Sequence, residues 1–176
     1  MANENIQAEA VAEDIEKDQY LVFSIKGQEF AIRAMKVQEI SAPISITKVP
    51  TAPPYIEGIL NLRGQLATVF DFRRKFGFEE KARDEDTRIV IIEHAGFPIG
   101  MIVDSVEEVL KISDERVQPM PEAASTLVSK EYISGVGMLE KRLIIMLDVE
   151  KILSRTELRE VEAARMSVRS ENKESK

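Results

Sequence analysis

Residues 55–76, YIEGILNLRGQLATVFDFRRKF, return 77 positions later as residues 132–153, YISGVGMLEKRLIIMLDVEKIL. In that register Tyr55, Ile56, Gly58, Leu62, Leu66 and Asp71 meet Tyr132, Ile133, Gly135, Leu139, Leu143 and Asp148, and most remaining apolar positions agree in kind. Chance rarely aligns an aromatic, a glycine and an aspartate within 22 residues, so the chain carries an internal duplication. The front half repeats as well, at a shift of 69: Gly27 to Ile40 matches Gly96 to Val109, with Val37-Gln38-Glu39-Ile40 lying on Val106-Glu107-Glu108-Val109. The two shifts differ by 8, which places an insertion of that size between about Leu110 and Glu131 in the second copy. Two copies make a two-lobed body, whereas a solenoid needs three or more.

Short segments rich in β-formers separate the turn signals. Tyr20–Ile25 and Glu29–Arg33 read as a hairpin around Lys26-Gly27-Gln28, and Arg88–Ile92 and Phe97–Val103 as its counterpart around Ala95-Gly96. Met35–Ile40 fits either a short helical turn or the start of a third strand, and Ser105–Ile112 reads as a strand. Pro43, Pro50, Pro53 and Pro54 forbid a long helix in the following stretch. Pro54–Glu57 reads as a tight turn closed by Gly58, where a positive φ or a close backbone approach favours glycine. Two further hairpins are expected, Ile59–Leu62 with Leu66–Phe70 and Val136–Leu139 with Leu143–Leu147. Asp71 and Asp148 each open a brief helix, the second running to Leu153 and continuing toward Val168 on the spacing of Leu158, Val161 and Ala164.

The fold class is therefore mainly β: two small five-stranded OB-like barrels from the duplication, with short helices and a C-terminal helix. Residues 1–18 form a flexible acidic N-terminal segment and 155–176 a C-terminal helix with a polar tail. Between them residues 19–154 carry a first lobe of roughly 19–80 and a second of roughly 87–154, an arrangement that permits exchange of elements.

Charge and composition exclude several functions. The net charge is −7, of which about −3 belongs to residues 19–154, so the dense Lys/Arg stripe of a nucleic-acid binder is missing. No run of 18 apolar residues suits a membrane span, and the acidic N-terminus lacks a secretion signal's layout; a cytoplasmic protein is expected. The chain has no cysteine, hence no disulfide or thiolate metal site. His94, the one histidine, has no partner pattern for metal binding or nucleophilic catalysis. Asp71 and Asp148 invite a reading as paired acid and base, but each occupies the same place in its repeat, so the helix N-cap reading is preferred. Gly135-Val136-Gly137 lacks the strand and long helix of a dinucleotide fingerprint, and Gly135 is read as structural. Tyr55 and Tyr132 are assigned to packing. The copies differ where Arg63 faces Glu140, so only the first is expected to pair Glu39 with Arg63 across strand ends.

Val37-Gln38-Glu39-Ile40, Tyr55-Ile56-Glu57-Gly58-Ile59-Leu60-Asn61-Leu62-Arg63-Gly64, Val69-Phe70-Asp71, Gly100-Met101-Ile102-Val103-Asp104, Val109 and Tyr132–Gly137 closely resemble the CheW coupling proteins of bacterial chemotaxis. The likeness spans residues 19–154. It implies two five-stranded barrels with partly exchanged elements, and an adaptor with neither enzymatic activity nor cofactor. The partners it implies are the cytoplasmic domain of chemoreceptors (methyl-accepting chemotaxis proteins) and the regulatory domain of the histidine kinase CheA. Carried over by motif, the receptor site is a groove between lobes marked by Val37, Glu39, Ile40, Gly100 and Val109, with Gly58 and Arg63 nearby. The competing reading is an OB-like module for nucleic acid or oligosaccharide, which the barrel architecture alone would allow.

Overall fold

The computed structural model describes residues 17–43, 46–122 and 128–174. The acidic N-terminal segment, except Lys17 and Asp18, lies outside them. Eleven strands are present among the described residues: β1 (Gln19–Ile25), β2 (Gln28–Arg33), β3 (Val37–Ser41), β4 (Ile56–Leu62), β5 (Gln65–Asp71), β6 (Arg88–His94), β7 (Phe97–Val103), β8 (Ser105–Lys111), β9 (Val117–Gln118), β10 (Ile133–Leu139) and β11 (Arg142–Leu147). The ambiguous stretch at Met35 resolves into both alternatives, a 3-10 turn at Ala34–Lys36 running into β3. Hairpin turns fall at the sequence signals; Arg63 and Gly64 take φ of 53° and 91°, the pair of positive values a two-residue turn needs to match strand twist.

The strands form two mixed sheets, ordered β8-β1-β2-β11-β10-β9 and β3-β6-β7-β5-β4. The orders are equivalent under the duplication. The parallel ladders make this plain: Phe30 pairs with Ile145 and Ala31 with Met146 in one sheet, while Ile99 pairs with Thr68 and Gly100 with Val69 in the other. Each sheet thus takes the front hairpin of one copy and the remaining strands of the other. Among the described residues the chain crosses between sheets twice, from β2 to β3 through Ala34–Lys36 and from β7 to β8 through Asp104 alone.

The ladders curl without closing. Among the described residues none joins β3 directly to β4, or β8 directly to β10. Instead the chain leaving each edge strand folds over to the opposite edge. Thr47, after β3, exchanges main-chain hydrogen bonds of 2.9 and 2.7 Å with Ile59 on β4, and β9, after β8, pairs with β10. The five-stranded barrels expected from sequence are thus two curled sheets of six and five strands.

Both faces of each sheet are buried, which is why the strands read as continuous apolar runs. Val22, Ala31, Ile144 and Met146 fill the concave side of the six-stranded sheet; Val69, Ile89, Ile91 and Ile102 fill that of the other. Between the sheets lies the main core, centred on Phe23, Phe30 and Phe72, whose ring centroids stand 5.2–5.9 Å apart. Contacts of this geometry add about 0.5–1.5 kcal/mol per pair beyond area burial.

Helix α1 (Phe72–Phe76) starts at Asp71, whose carboxylate accepts the Arg74 N–H at 3.2 Å. The equivalent after Asp148 is shorter than expected: a 3-10 turn over Val149–Lys151, with Asp148 accepting from Glu150 N at 3.0 Å. It does not continue into the C-terminal helix. Helix α2 (Arg155–Glu174) starts afresh, because Ser154 and Glu157 form a reciprocal capping box, Glu157 N to Ser154 Oγ at 3.1 Å and Ser154 N to Glu157 Oε1 at 2.9 Å. Val161 and Ala164 bury its inner face against the shared core. Thr68, fully buried on β5, donates to the Val161 carbonyl at 2.9 Å.

Candidate partner-binding site

The residues singled out by sequence separate into two groups. Glu39, Gly100 and Gly58 lie in one transverse row of the five-stranded sheet, running Glu39–Ile91–Gly100–Val69–Gly58 through successive ladders. Only the end of this row reaches solvent. Gly100 is buried, and a methyl group there would meet Ile89 at 2.9 Å and Val69 at 3.0 Å; its part is to let the concave face pack, not to touch a partner. Gly58 is also buried, at a bulge inside β4. The expected tight turn lies earlier, where Ile56 N donates to Pro53 O at 3.0 Å. Gly135, its repeat equivalent, is crowded in the same way by Val117 at 2.7 Å and the Gln118 carbonyl at 3.0 Å. Both glycines therefore sit where the segment that folds across from the opposite edge of the sheet crosses the outermost full strand.

The surface group lies on the two edge strands. Val37 opens β3 and Val106 is the second residue of β8; both are half-buried against the shared core. Three residues further on, Ile40 and Val109 are 42% and 51% exposed. The duplication thus puts an exposed branched apolar side chain at the same place on the free edge of each sheet, rooted in one core by its neighbour. Carboxylates flank both. Arg63, at the β4–β5 turn, approaches Glu39 to 3.6 Å, an exposed pair that contributes about 0–1 kcal/mol.

The second copy also builds such a pair, contrary to the expectation from aligned columns. Arg142, two residues past Glu140, binds Glu108 at 2.7 Å and also Glu29 on β2. These partners, Glu29 first and then Glu108, raise its pKa. Column alignment missed this because a side chain as long as arginine reaches across a two-residue offset. Glu107 is held below the usual carboxylate range by the hydroxyls of Ser105 and Ser24. The edges of this surface are thus acidic.

Asp71 and Asp148 are committed elsewhere. Besides capping, their main-chain N–H groups donate to Tyr55 O at 2.8 Å and Tyr132 O at 2.9 Å, the same bond in each copy. His94 is buried on β6 and donates from Nε2 to the carbonyl of Glu150, in the turn after β11, at 3.1 Å. Among the described residues no three acidic or histidine side chains gather as a metal site, and no helix is long and apolar enough to cross a membrane.

Lys75 was not singled out from sequence. Its side chain is only 3% exposed, ion-paired to Glu157 on α2, with its ammonium 5.1–5.7 Å from the rings of Phe76, Tyr132 and Tyr55. The duplicated tyrosines therefore converge on a cation that the duplication lacks, since Ile152 stands at its equivalent. Burial, followed by Glu160 and Glu157, pushes the Tyr55 hydroxyl well above its ordinary range.

Comparison with known proteins places this architecture. The CheW-like domain profile matches residues 19–157. The chemotaxis protein CheW of Klebsiella aerogenes is 36% identical over 140 residues, covering 80% of this chain and 84% of that protein. CheW of Helicobacter pylori is 34% identical over 137 residues, covering 78% and 82%. Among solved structures, the scaffolding protein TtCheW from Thermoanaerobacter tengcongensis superposes with a TM-score of 0.71 at 31% identity, over 78% of this chain and 88% of that one.

Proposed function

The chain belongs to the CheW-like domain family, and from that premise we propose how it does its work as a non-catalytic scaffold of chemotaxis signalling. It holds the cytoplasmic helical hairpin of a chemoreceptor against the edge strands β3 and β8, and the regulatory domain of the kinase CheA on other sheet edges and loops. It works in the cytoplasm, at membrane-associated receptor arrays that it reaches through these partners. The observation that carries the receptor assignment is the exposed pair Ile40 and Val109, at equivalent places on two free edges with carboxylates beside them. An amphipathic helix offers what such a surface accepts: an apolar stripe for the aliphatic side chains and basic residues for Glu39, Glu107 and Glu108. Arg63, Gly58 and Gly100 support the surface from the turn and the interior. A small apolar centre with a polar rim suits reversible assembly.

Co-sedimentation with a receptor cytoplasmic fragment, with and without CheA, tests this. The wild-type chain is retained by both. Ile40→Lys and Val109→Lys lose receptor uptake while keeping a cooperative melt, and normal uptake by both variants removes the edge-strand assignment. Retention on single-stranded DNA at physiological salt would favour the nucleic-acid alternative, which the acidic edges oppose.

A further inference from the structure

Asp104 is the single residue between β7 and β8, at the point where the chain leaves the five-stranded sheet for the six-stranded one. Its carboxylate is gripped from both sides of that step. Arg73 on α1 donates to it through Nε at 2.8 Å and through a second nitrogen, and the main-chain N–H of Lys26, at the β1–β2 turn, donates at 2.8 Å. Arg73 also donates to the Glu79 carbonyl on the segment joining the copies. The Asp104 and Arg73 side chains keep only 15% and 11% exposure, so solvent screens their attraction little.

The other crossing, Ala34–Lys36, is held differently. Lys36 pairs with Glu150 at 2.9 Å, but these side chains are 40% and 56% exposed, which makes the pair weak and salt-sensitive. One crossing is thus clamped by a buried two-pronged contact and the other by a screened one. Each stands at the root of a proposed receptor-binding strand: Asp104 precedes β8 and Val109, Lys36 precedes β3 and Ile40.

We propose that Asp104 is a positioning residue for receptor binding, which by gripping Arg73 and Lys26 fixes the angle between the two sheets and so the placement of Val109 relative to Ile40. This rests on the edge-strand reading above. With the clamp gone, the sheets keep their shared core but are set less firmly at the β7–β8 crossing, and the two halves of the surface present a range of geometries to one helix. A ligand that needs both halves then binds only the fraction of molecules in register.

The test uses the full chain. It has no cysteine, so Gln38→Cys on β3 and Lys111→Cys on β8, both exposed, supply the only two attachment points for spin labels. Asp104→Asn preserves size and an acceptor for Lys26 but loses the charge. It broadens the label-to-label distance distribution and weakens affinity for a receptor cytoplasmic fragment about tenfold, while Lys36→Gln changes affinity less than twofold. Arg73→Lys, which keeps the charge and loses the two-pronged contact, gives an intermediate broadening and serves if Asp104→Asn does not fold. A wild-type distribution in both clamp variants overturns the proposal, as does a broadened distribution with unchanged affinity. Failure of the underlying reading is distinguishable: Val109→Lys then binds the receptor fragment normally, which overturns both.

Discussion

Gly58 and Thr47 face each other with no space for a side chain between them. A methyl group on Gly58 would strike the Thr47 carbonyl, whose carbon would lie 2.8 Å away, and Ile46 Cγ2 at 2.8 Å. The obstacle is main chain, fixed by the two hydrogen bonds between Thr47 and Ile59. Gly58→Ala is therefore expected to destabilise the fold by about 3 kcal/mol, the upper end for overpacking. At Gly135 the nearest obstacle is a Val117 side-chain methyl at 2.7 Å, and the main-chain oxygen of Gln118 stands back at 3.0 Å, so Gly135→Ala costs about 1–2 kcal/mol. Urea denaturation of the two variants measures the difference, and equal losses would contradict the backbone-collision account.

Asp71 caps α1 through the Arg74 N–H. Asp71→Ala should cost about 1 kcal/mol, and Asp71→Asn, an equally good cap, only a few tenths. Receptor uptake is unaffected by Asp71→Asn. Thermal melts and co-sedimentation together check this, and a loss of uptake by Asp71→Asn at unchanged stability would give the carboxylate a role beyond the cap.

Lys75 and Glu157 hold the start of α2 against the duplicated tyrosines. Burial alone would push the Glu157 carboxyl up, but the Lys75 ammonium and the Ser154 cap outweigh it and leave it below the ordinary value of 4.5. A carboxylate whose folded-state pKa is depressed contributes stability that is complete above the unfolded value and is lost as pH falls through the folded one. Glu157→Gln should therefore cost about 2 kcal/mol at pH 6, less than a fully buried pair because Glu157 keeps a fifth of its surface in water. The gap between wild type and variant should shrink below pH 4.5 in urea titrations. A gap that stays constant to pH 3 would assign the loss to packing alone.

Val37→Lys is expected to behave unlike Ile40→Lys. Val37 is rooted in the shared core and Ile40 stands in solvent, so the first substitution destabilises by about 2 kcal/mol and the second by less than 0.5 kcal/mol. Both weaken receptor uptake, but only the Ile40 variant does so at wild-type stability. Melting curves recorded beside the binding assay separate the two causes.

Much of this was legible from residue order. Alternating and continuous apolar runs, two-residue turns with glycine, and aspartates before helical turns all act over a few residues, so their physics is written locally. The matching of Tyr55 to Tyr132 and Gly58 to Gly135 likewise located two copies and their shared constraints. The burial of Gly100, the Lys75 cage and the Arg142–Glu108 pair were not legible, since each depends on segments far apart in the chain.

Residue order determined the strands, the turns, the caps and the fact of duplication, because each depends on backbone preference and patterning within one segment. Only the tertiary structure decided that the copies exchange their front hairpins. Main-chain pairing cannot tell one copy's edge from the other's, so the choice falls to the connections. A single residue, Asp104, separates β7 from β8, one fewer than a tight hairpin requires, and the chain has to pass into the opposite sheet.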